Sequence, residues 1–209
     1  MSLTADAAEQ LQECIASGGV AVFPTDTVYG IACDPDDERA AACLYELKGR
    51  PATRASAVMF FTLEHALAEL AGDFEEAEIR ALQALLPGPV TLLLANRALR
   101  YGPACTVDPA TVGLRVPLLG GDLAALEAIE RPVMQSSANL SGQPDARTIE
   151  EVPRQLRDGV DLVLDGGELP GRSSTVIDLR QLHEQGRWSV VREGALPLDG
   201  VLAALGPSG

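Results

Sequence analysis

Val20-Ala21-Val22-Phe23-Pro24-Thr25-Asp26-Thr27-Val28-Tyr29-Gly30 sets an apolar run directly before a cluster of hydroxyls and one carboxylate. Four consecutive apolar residues between Gly18-Gly19 and Pro24 predict a short strand. The Thr and Asp oxygens that follow have two readings. They close a turn through side-chain to backbone bonds, or they line the crevice outside strand ends where open α/β sheets bind ligands.

Upstream, Ala8, Leu11, Cys14 and Ile15 form a helical stripe that stops at Gly18-Gly19. Downstream, Asp36-Asp37-Glu38 opens a second helix, where negative charge suits the N-terminal dipole, with Ala40, Leu44 and Leu47 on one face and a stop at Gly49 and Pro51. Residues 57–61 read as a buried strand. Leu63, Leu67 and Leu70 mark one further helix, and Ile79, Leu82 and Leu86 another that ends at Pro87-Gly88-Pro89. Strands are expected over 90–95, 112–116, 133–135, 160–164, 175–179 and 188–192, with a short helix over 122–130. Thr148-Ile149-Glu150-Glu151 has the spacing of a capping box opening another helix, even with Pro153 close behind.

This alternation predicts an α/β fold with helices against a sheet. Strands that follow one another without a helix near the C-terminus make the sheet mixed rather than purely parallel. A single domain over 1–209 is expected, without internal repeats, and with a frayed tail from Gly206 to Gly209.

Composition narrows the function. The chain has 209 residues, and 16 Lys+Arg against 30 Asp+Glu give a net charge of −14. Values of 46% hydrophobic and 22% charged residues are ordinary for a globular protein and exclude disordered, collagen-like and coiled-coil classes. No apolar run approaches the ~18–20 residues of a membrane span, and the start lacks a basic and hydrophobic leader, so a cytoplasmic protein is expected. The acidity opposes nonspecific nucleic-acid binding. Four cysteines without a Cys-x-x-Cys pair and two distant histidines, His65 and His183, disfavour a zinc site, a disulfide framework and any triad that needs an imidazole.

Neither a Walker-type loop nor a Gly-x-Gly-x-x-Gly turn is present, so any nucleotide needs another cradle. Lys48 is the one lysine among 16 basic residues, the other 15 being arginine. A chain that otherwise uses arginine and keeps a lysine here points to a compact ammonium for phosphate, against the plainer reading of a cation at a helix C-terminus. At a helix end beside Gly49 it is expected to be partly exposed. Lys48-Gly49-Arg50-Pro51-Ala52-Thr53-Arg54 is a cationic segment and an anion site. Ser137 and Asn139, two apart after a strand, offer neutral donors on one side. Arg115 within Gly113-Leu114-Arg115-Val116-Pro117, and Ser173-Ser174-Thr175-Val176 with Arg192 in the next strand, supply similar groups.

Taken in order, Pro24-Thr25-Asp26-Thr27-Val28-Tyr29-Gly30, Lys48-Gly49-Arg50-Pro51, Pro87-Gly88-Pro89-Val90-Thr91, Gly113-Leu114-Arg115-Val116-Pro117, Ser137-Ala138-Asn139-Leu140-Ser141-Gly142, Ser174-Thr175-Val176 and Val191-Arg192-Glu193-Gly194 resemble the YrdC/TsaC-like family of threonylcarbamoyl-AMP synthases. The resemblance spans about residues 19–194. It implies a twisted mixed parallel/antiparallel sheet flanked by helices, with a large concave pocket. It also implies that L-threonine, bicarbonate and ATP are joined into threonylcarbamoyl-AMP and pyrophosphate, for modification of a tRNA adenosine beside the anticodon.

By motif position, Lys48 and Arg50 are then catalytic. Lys48, Arg50, Arg54, Thr111, Asn139, Arg147 and Arg192 bind ATP, and Thr27, Met59, Arg115, Ser137 and Ser174 bind threonine and its carbamate. Mg²⁺ accompanies ATP, with no tightly bound organic cofactor and no protein metal site. The product passes to a tRNA threonylcarbamoyl transferase, with weak RNA contact as a further partner and no membrane. Longer relatives carry a C-terminal domain for which 209 residues leave no room.

Three positions depart from the family pattern. Ala55-Ser56 replaces a Pro-Leu pair, Met59 replaces a histidine, and Ala146-Arg147 replaces a Pro-Thr end, leaving Arg147 between a phosphate contact and plain solvent. The segment from Arg50 to Ser56 is expected to form a mobile lid over the nucleotide. Two other functions compete: a carbamoyl-adenylating enzyme of the hydrogenase-maturation type and a double-stranded RNA-binding module.

Overall fold

The computed structural model describes residues 2–49 and 56–209. Strand β1 (Ala21–Pro24) pairs antiparallel with β2 (Tyr29–Cys33), Phe23 opposite Gly30. β2 was not anticipated as a strand. Its run Tyr29-Gly30-Ile31-Ala32-Cys33 is buried throughout and carries no polar alternation to announce a strand. Between the two, Thr25 Oγ1 donates to Val28 O at 2.7 Å and accepts from Thr27 N at 3.3 Å, so the hydroxyl cluster does close a turn.

The remaining strands are β3 (Ala57–Met59), β4 (Val90–Ala95), β5 (Thr111–Arg115), β6 (Val133–Ser137), β7 (Leu162–Val163), β8 (Thr175–Asp178) and β9 (Ser189–Arg192). Together they form one sheet in the order β7-β1-β2-β6-β3-β5-β4-β8-β9. β1/β7, β3/β5 and β4/β8 are parallel and the other five pairings antiparallel, so the sheet is mixed along its whole width and not only near the C-terminus. In β4, Val90, Leu92 and Leu94 are fully buried while Thr91, Leu93 and Ala95 are half-buried. That period of two separates a packed face from a partly open one.

The helices are α1 (Ala5–Ala16), α2 (Glu38–Leu47), α3 (Leu63–Leu70), α4 (Glu76–Leu85), α5 (Arg154–Gly159), α6 (Leu182–Gln185) and α7 (Leu198–Leu205). Thr4 caps α1 by accepting from Ala7 N, and Asp37 caps α2 by accepting from Arg39 N (2.8 Å) and Ala40 N (3.0 Å). α1 packs on β1, on β7 and on the 3₁₀ helix Gly121–Ala128, α2 on β2 and α5, and α4 on α6 and α7. Glu78 completes a capping box on α4 and is fully buried. Arg97 closes on it with both terminal nitrogens, at 2.8 and 3.2 Å, so the buried charge is paired and hydrogen-bonded. No helix among the described residues is long and apolar enough to cross a membrane.

Four local expectations need correction. Residues 121–128 wind as 3₁₀ rather than α-helix. Thr148 makes no side-chain cap, because Glu151 instead accepts from Arg147 N. The helix there begins only after Pro153, which occupies its N-cap position. α6 and α7 were not foreseen. The tail is held rather than frayed: Ser208 Oγ donates to Trp188 O at 2.8 Å and accepts from Trp188 N at 3.0 Å.

Gly194 ends the β9 arm where it crosses the start of β8. A Cβ there would stand 2.4 Å from Ser173 O, Ser174 C and Thr175 N, all backbone atoms with little room to move. The crossing is then tied by Ala195 N to Ser173 O (2.8 Å) and Thr175 Oγ1 to Leu196 O (2.6 Å). Gly194→Ala is therefore expected to lower stability by about 1–3 kcal/mol, as overpacking does, with a fall in Tm of about 2–12 °C for a chain of this size. A melting curve unchanged from wild type would refute the steric argument.

Candidate active site on the open face of the sheet

The middle of the open face is short of side-chain volume. Gly113 on β5 lies between Ala57 on β3 and Leu93 on β4, and Ala57 in turn faces Gln135 on β6. This row of small residues lets the twisted sheet hold a concave cavity of about 620 Å³. Lys48, Ser56, Thr91, Asp108, Thr111, Arg115, Gln135, Ser137, Asn139, Asp145, Ser173, Ser174, Arg180 and Arg192 are among the residues that border it.

Lys48 follows the last turn of α2 and is 2% exposed, which corrects the expectation of a partly exposed residue. The helix end points inward, so the side chain crosses to the turn after β6. There Nζ donates to Asn139 O at 2.8 Å, to Asn139 Oδ1 at 3.3 Å and to Ser137 O. Return bonds run from Ser141 N to Lys48 O (3.1 Å) and from Ser137 Oγ to Asn139 Oδ1 (2.7 Å). Asn139 Nδ2 donates to Gln143 O at 2.5 Å. Ser137 and Asn139 thus bond to each other as well as facing the cavity. A guanidinium, planar and wide, matches this convergence of oxygens poorly.

Arg115, at the end of β5, is 4% exposed. Its Nη2 donates to Asp26 Oδ1 at 2.9 Å and Thr27 Oγ1 at 3.1 Å, and its Nη1 to Gln135 Oε1 at 3.2 Å. Burial drives both members of the ion pair toward neutrality, Asp26 upward and Arg115 downward, and their mutual attraction opposes each shift. Thr27 and Met59 are fully buried and are not among the residues that border the cavity; Thr27 is linked to it through Arg115.

On the far wall, Ser174 Oγ and Thr91 Oγ1 are 2.8 Å apart. Arg192 Nη2 donates to Ser174 O at 2.8 Å and to Ser174 Oγ at 3.3 Å. Gly194, two residues on, allows this approach. At the rim, Thr111 Oγ1 donates to Asp108 Oδ2 at 2.6 Å and accepts from Arg180 Nη1 at 3.2 Å. Arg180 also closes on Asp178 and holds that carboxyl below its ordinary range. Arg147 is half-exposed, pairs with Glu168 and is not among the bordering residues.

Arg50, Arg54 and the expected lid lie outside the described residues, except Ser56. That residue borders the cavity, with its Oγ 3.3 Å from Tyr45 OH. Sequence reading passed over Thr91, Gln135, Asp145 and Arg180. Gln135 and Thr91 sit inside strands whose apolar neighbours dominate the pattern. Their signal is the polar residue at a period-two position. Among the described residues, no group of three or more His, Cys, Asp or Glu side chains is placed to hold a metal ion.

The Pro24–Gly30 motif divides between scaffold and site. Tyr29 OH accepts from Gly166 N at 3.0 Å and reaches Gly167 O at 2.9 Å and Asp165 Oδ1 at 3.0 Å, anchoring the loop after β7. Burial pushes its phenol well above the usual value. Val28 borders the cavity directly, and Asp26 and Thr27 reach toward it through Arg115.

The chain is similar to several characterised proteins. A threonylcarbamoyl-AMP synthase of Pyrococcus abyssi is 35% identical over 92% of this chain and 55% of its own length. One of Aliivibrio fischeri is 30% identical over 78% of this chain and 88% of its own. This chain therefore spans about half the length of the archaeal relative. Among solved structures, P. abyssi Sua5 complexed with L-threonine superposes with a TM-score of 0.85 at 30% identity, over 100% of this chain and 60% of that one. E. coli YciO superposes with a TM-score of 0.79 at 27% identity, over 97% and 100%. Residues 13–194 match the profile of the Sua5/YciO/YrdC family, described as "Telomere recombination". With its mixed sheet and its ordered motifs agreeing with that match, the chain belongs to the Sua5/YciO/YrdC family.

Proposed function

We propose that the chain is an L-threonylcarbamoyladenylate synthase, a nucleotidyltransferase that joins L-threonine, bicarbonate and ATP. The observation that carries this reading is the gathering, in one cavity, of Lys48, Arg115 and Arg192 with the hydroxyls of Ser137, Ser174 and Thr91. The family's motifs supply those residues, and relatives of this family bear the name threonylcarbamoyl-AMP synthase.

The reaction suits such a site. The threonine amine and bicarbonate give a carbamate and water. A carbamate oxygen then attacks the α-phosphorus of ATP, forming one P–O bond as the bond to the β-phosphate bridge breaks and pyrophosphate leaves. Every participant is anionic, so fixed cations and oriented donors lower the barrier by aligning nucleophile and phosphorus and by neutralising charge. Arg115, whose buried Nε has no partner among the described residues, holds the threonine carboxylate. Lys48, Asn139 and Arg192 face the phosphates, and Ser137 and Ser174 orient the carbamate. Arg50, Arg54 and Thr111 extend the nucleotide side, and Thr27 and Met59 support the threonine side. Mg²⁺ enters as the ATP complex, so it is part of the substrate. The labile product passes to a transferase acting on tRNA in the cytoplasm, and any RNA contact of this chain is secondary in an acidic protein.

Pyrophosphate release from ATP is expected only when L-threonine and bicarbonate are both present. Release with carbamoyl phosphate and no threonine would move the assignment to the hydrogenase-maturation chemistry. No release under any combination, with tight binding of double-stranded RNA, would make the chain a binding module.

Lys48→Met is expected to lower unfolding free energy by about 1–3 kcal/mol, since buried carbonyl oxygens lose their donor, and to abolish most turnover. Lys48→Arg keeps the charge but places a planar fork where oxygens converge on one point, and is expected to lose most turnover too. Full activity in Lys48→Arg would show that a compact ammonium is not required.

A further inference from the structure

We infer that Asp26 and Gln135 are positioning residues for Arg115, holding its guanidinium from two sides so that the Nε–H is kept as a buried donor for a ligand carboxylate. The inference rests on the function proposed above, in which that carboxylate belongs to threonine.

An arginine has five N–H donors and no acceptor. Here two bonds leave Nη2, to Asp26 Oδ1 (2.9 Å) and Thr27 Oγ1 (3.1 Å), and one leaves Nη1, to Gln135 Oε1 (3.2 Å). Nε is buried and has no partner among the described residues, although Arg115 borders the cavity. Buried donors are nearly always satisfied, so one left over at a cavity wall marks where a ligand acceptor belongs.

Both partners are themselves fixed. Asp26 Oδ2 accepts from Leu118 N at 3.1 Å and its Oδ1 is 3.4 Å from Thr27 Oγ1, so the carboxylate is held by backbone and side chain. Gln135 donates through Nε2 to Ser136 O at 2.9 Å, which turns its Oε1 toward the guanidinium. Gly30 makes room for that amide, since a Cβ there would lie 2.8 Å from Gln135 Nε2. Asp26 is not among the residues bordering the cavity and is itself an anion, and the Gln135 amide is engaged at both ends, Oε1 with Arg115 and Nε2 with Ser136 O. Neither therefore acts as the carboxylate's own partner. Their effect is to deny the guanidinium other orientations, so the loss of rotational freedom is met on folding and not on binding.

The test compares L-threonine with L-threoninamide, which lacks the carboxylate, in calorimetric titrations of wild type, Asp26→Asn and Gln135→Met, with ATP as a control ligand. Wild type should prefer threonine to the amide. Each variant should shrink that preference by about tenfold or more, the loss expected when a hydrogen bond to a charged group is misaligned. ATP affinity should stay within about twofold, a difference of only ~0.4 kcal/mol.

A general loosening of the fold would weaken threonine, threoninamide and ATP together and would overturn the inference. So would variants that keep the wild-type preference. If Asp26→Asn fails to fold because Arg115 is left as a buried unpaired charge, Gln135→Met alone decides. Wild type that turns over threonine but binds the amide equally well would overturn this inference and leave the proposed function standing. Wild type that binds no threonine would overturn both.

Discussion

One ammonium, withdrawn from water, joins the two segments on which the cavity depends. Lys48 Nζ gathers the carbonyl oxygens of Ser137 and Asn139 and the Asn139 amide oxygen, and so fixes the end of α2 against the turn after β6. Such a charge is costly to bury unless its donors are satisfied. Two of its partners are backbone oxygens, at the end of β6 and in the turn just after it, and β6 is itself paired on both sides, with β2 and β3. The charge, the turn and the sheet centre are therefore mutually required. A chain with net charge −14 can hold a locally cationic cavity because its cations are locked in place rather than because it has many.

Arg115 meets the same problem by a different route. Its compensation comes from a full carboxylate, Asp26, and this changes what the site can do. Pairing with Asp26 removes much of the guanidinium's attraction for distant anions while leaving oriented N–H groups at short range. Selectivity for a carboxylate set down at one place follows more readily from that arrangement than from an open basic patch. The Glu78–Arg97 pair on the packed side shows the same pairing used for structure alone, where it joins the start of α4 to the loop after β4.

Glycines decide where segments approach. Gly194 lets the β9 arm lie against the backbone of Ser173 to Thr175, which brings Arg192 onto Ser174. Gly30 gives the Gln135 amide its space, and Gly113 keeps the cavity floor low. Two of the ordered motifs, those holding Gly30 and Gly194, therefore owe their glycine to a neighbour distant in sequence.

The α/β class, the three-turn helix α1, the acidic opening of α2, and eight of the nine strands near their observed places were legible in the amino-acid order, because apolar period and helix-terminus electrostatics are local. So were Lys48, Arg115, Ser137, Asn139, Ser174 and Arg192 as residues of one cavity, through the family's ordered motifs. β2 was not legible, since a strand buried on both faces shows no alternation. α6 and α7 were not, being short and stabilised by contact with α4 rather than by their own sequence. Lys48 as a buried residue, Thr27 and Met59 as core rather than cavity lining, Arg147 turned to Glu168, and Gln135 and Arg180 at the cavity all required the tertiary structure. Burial and orientation are set by which strands lie side by side. The sheet order β2-β6-β3-β5 brings together residues more than a hundred positions apart, and no local pattern records that order.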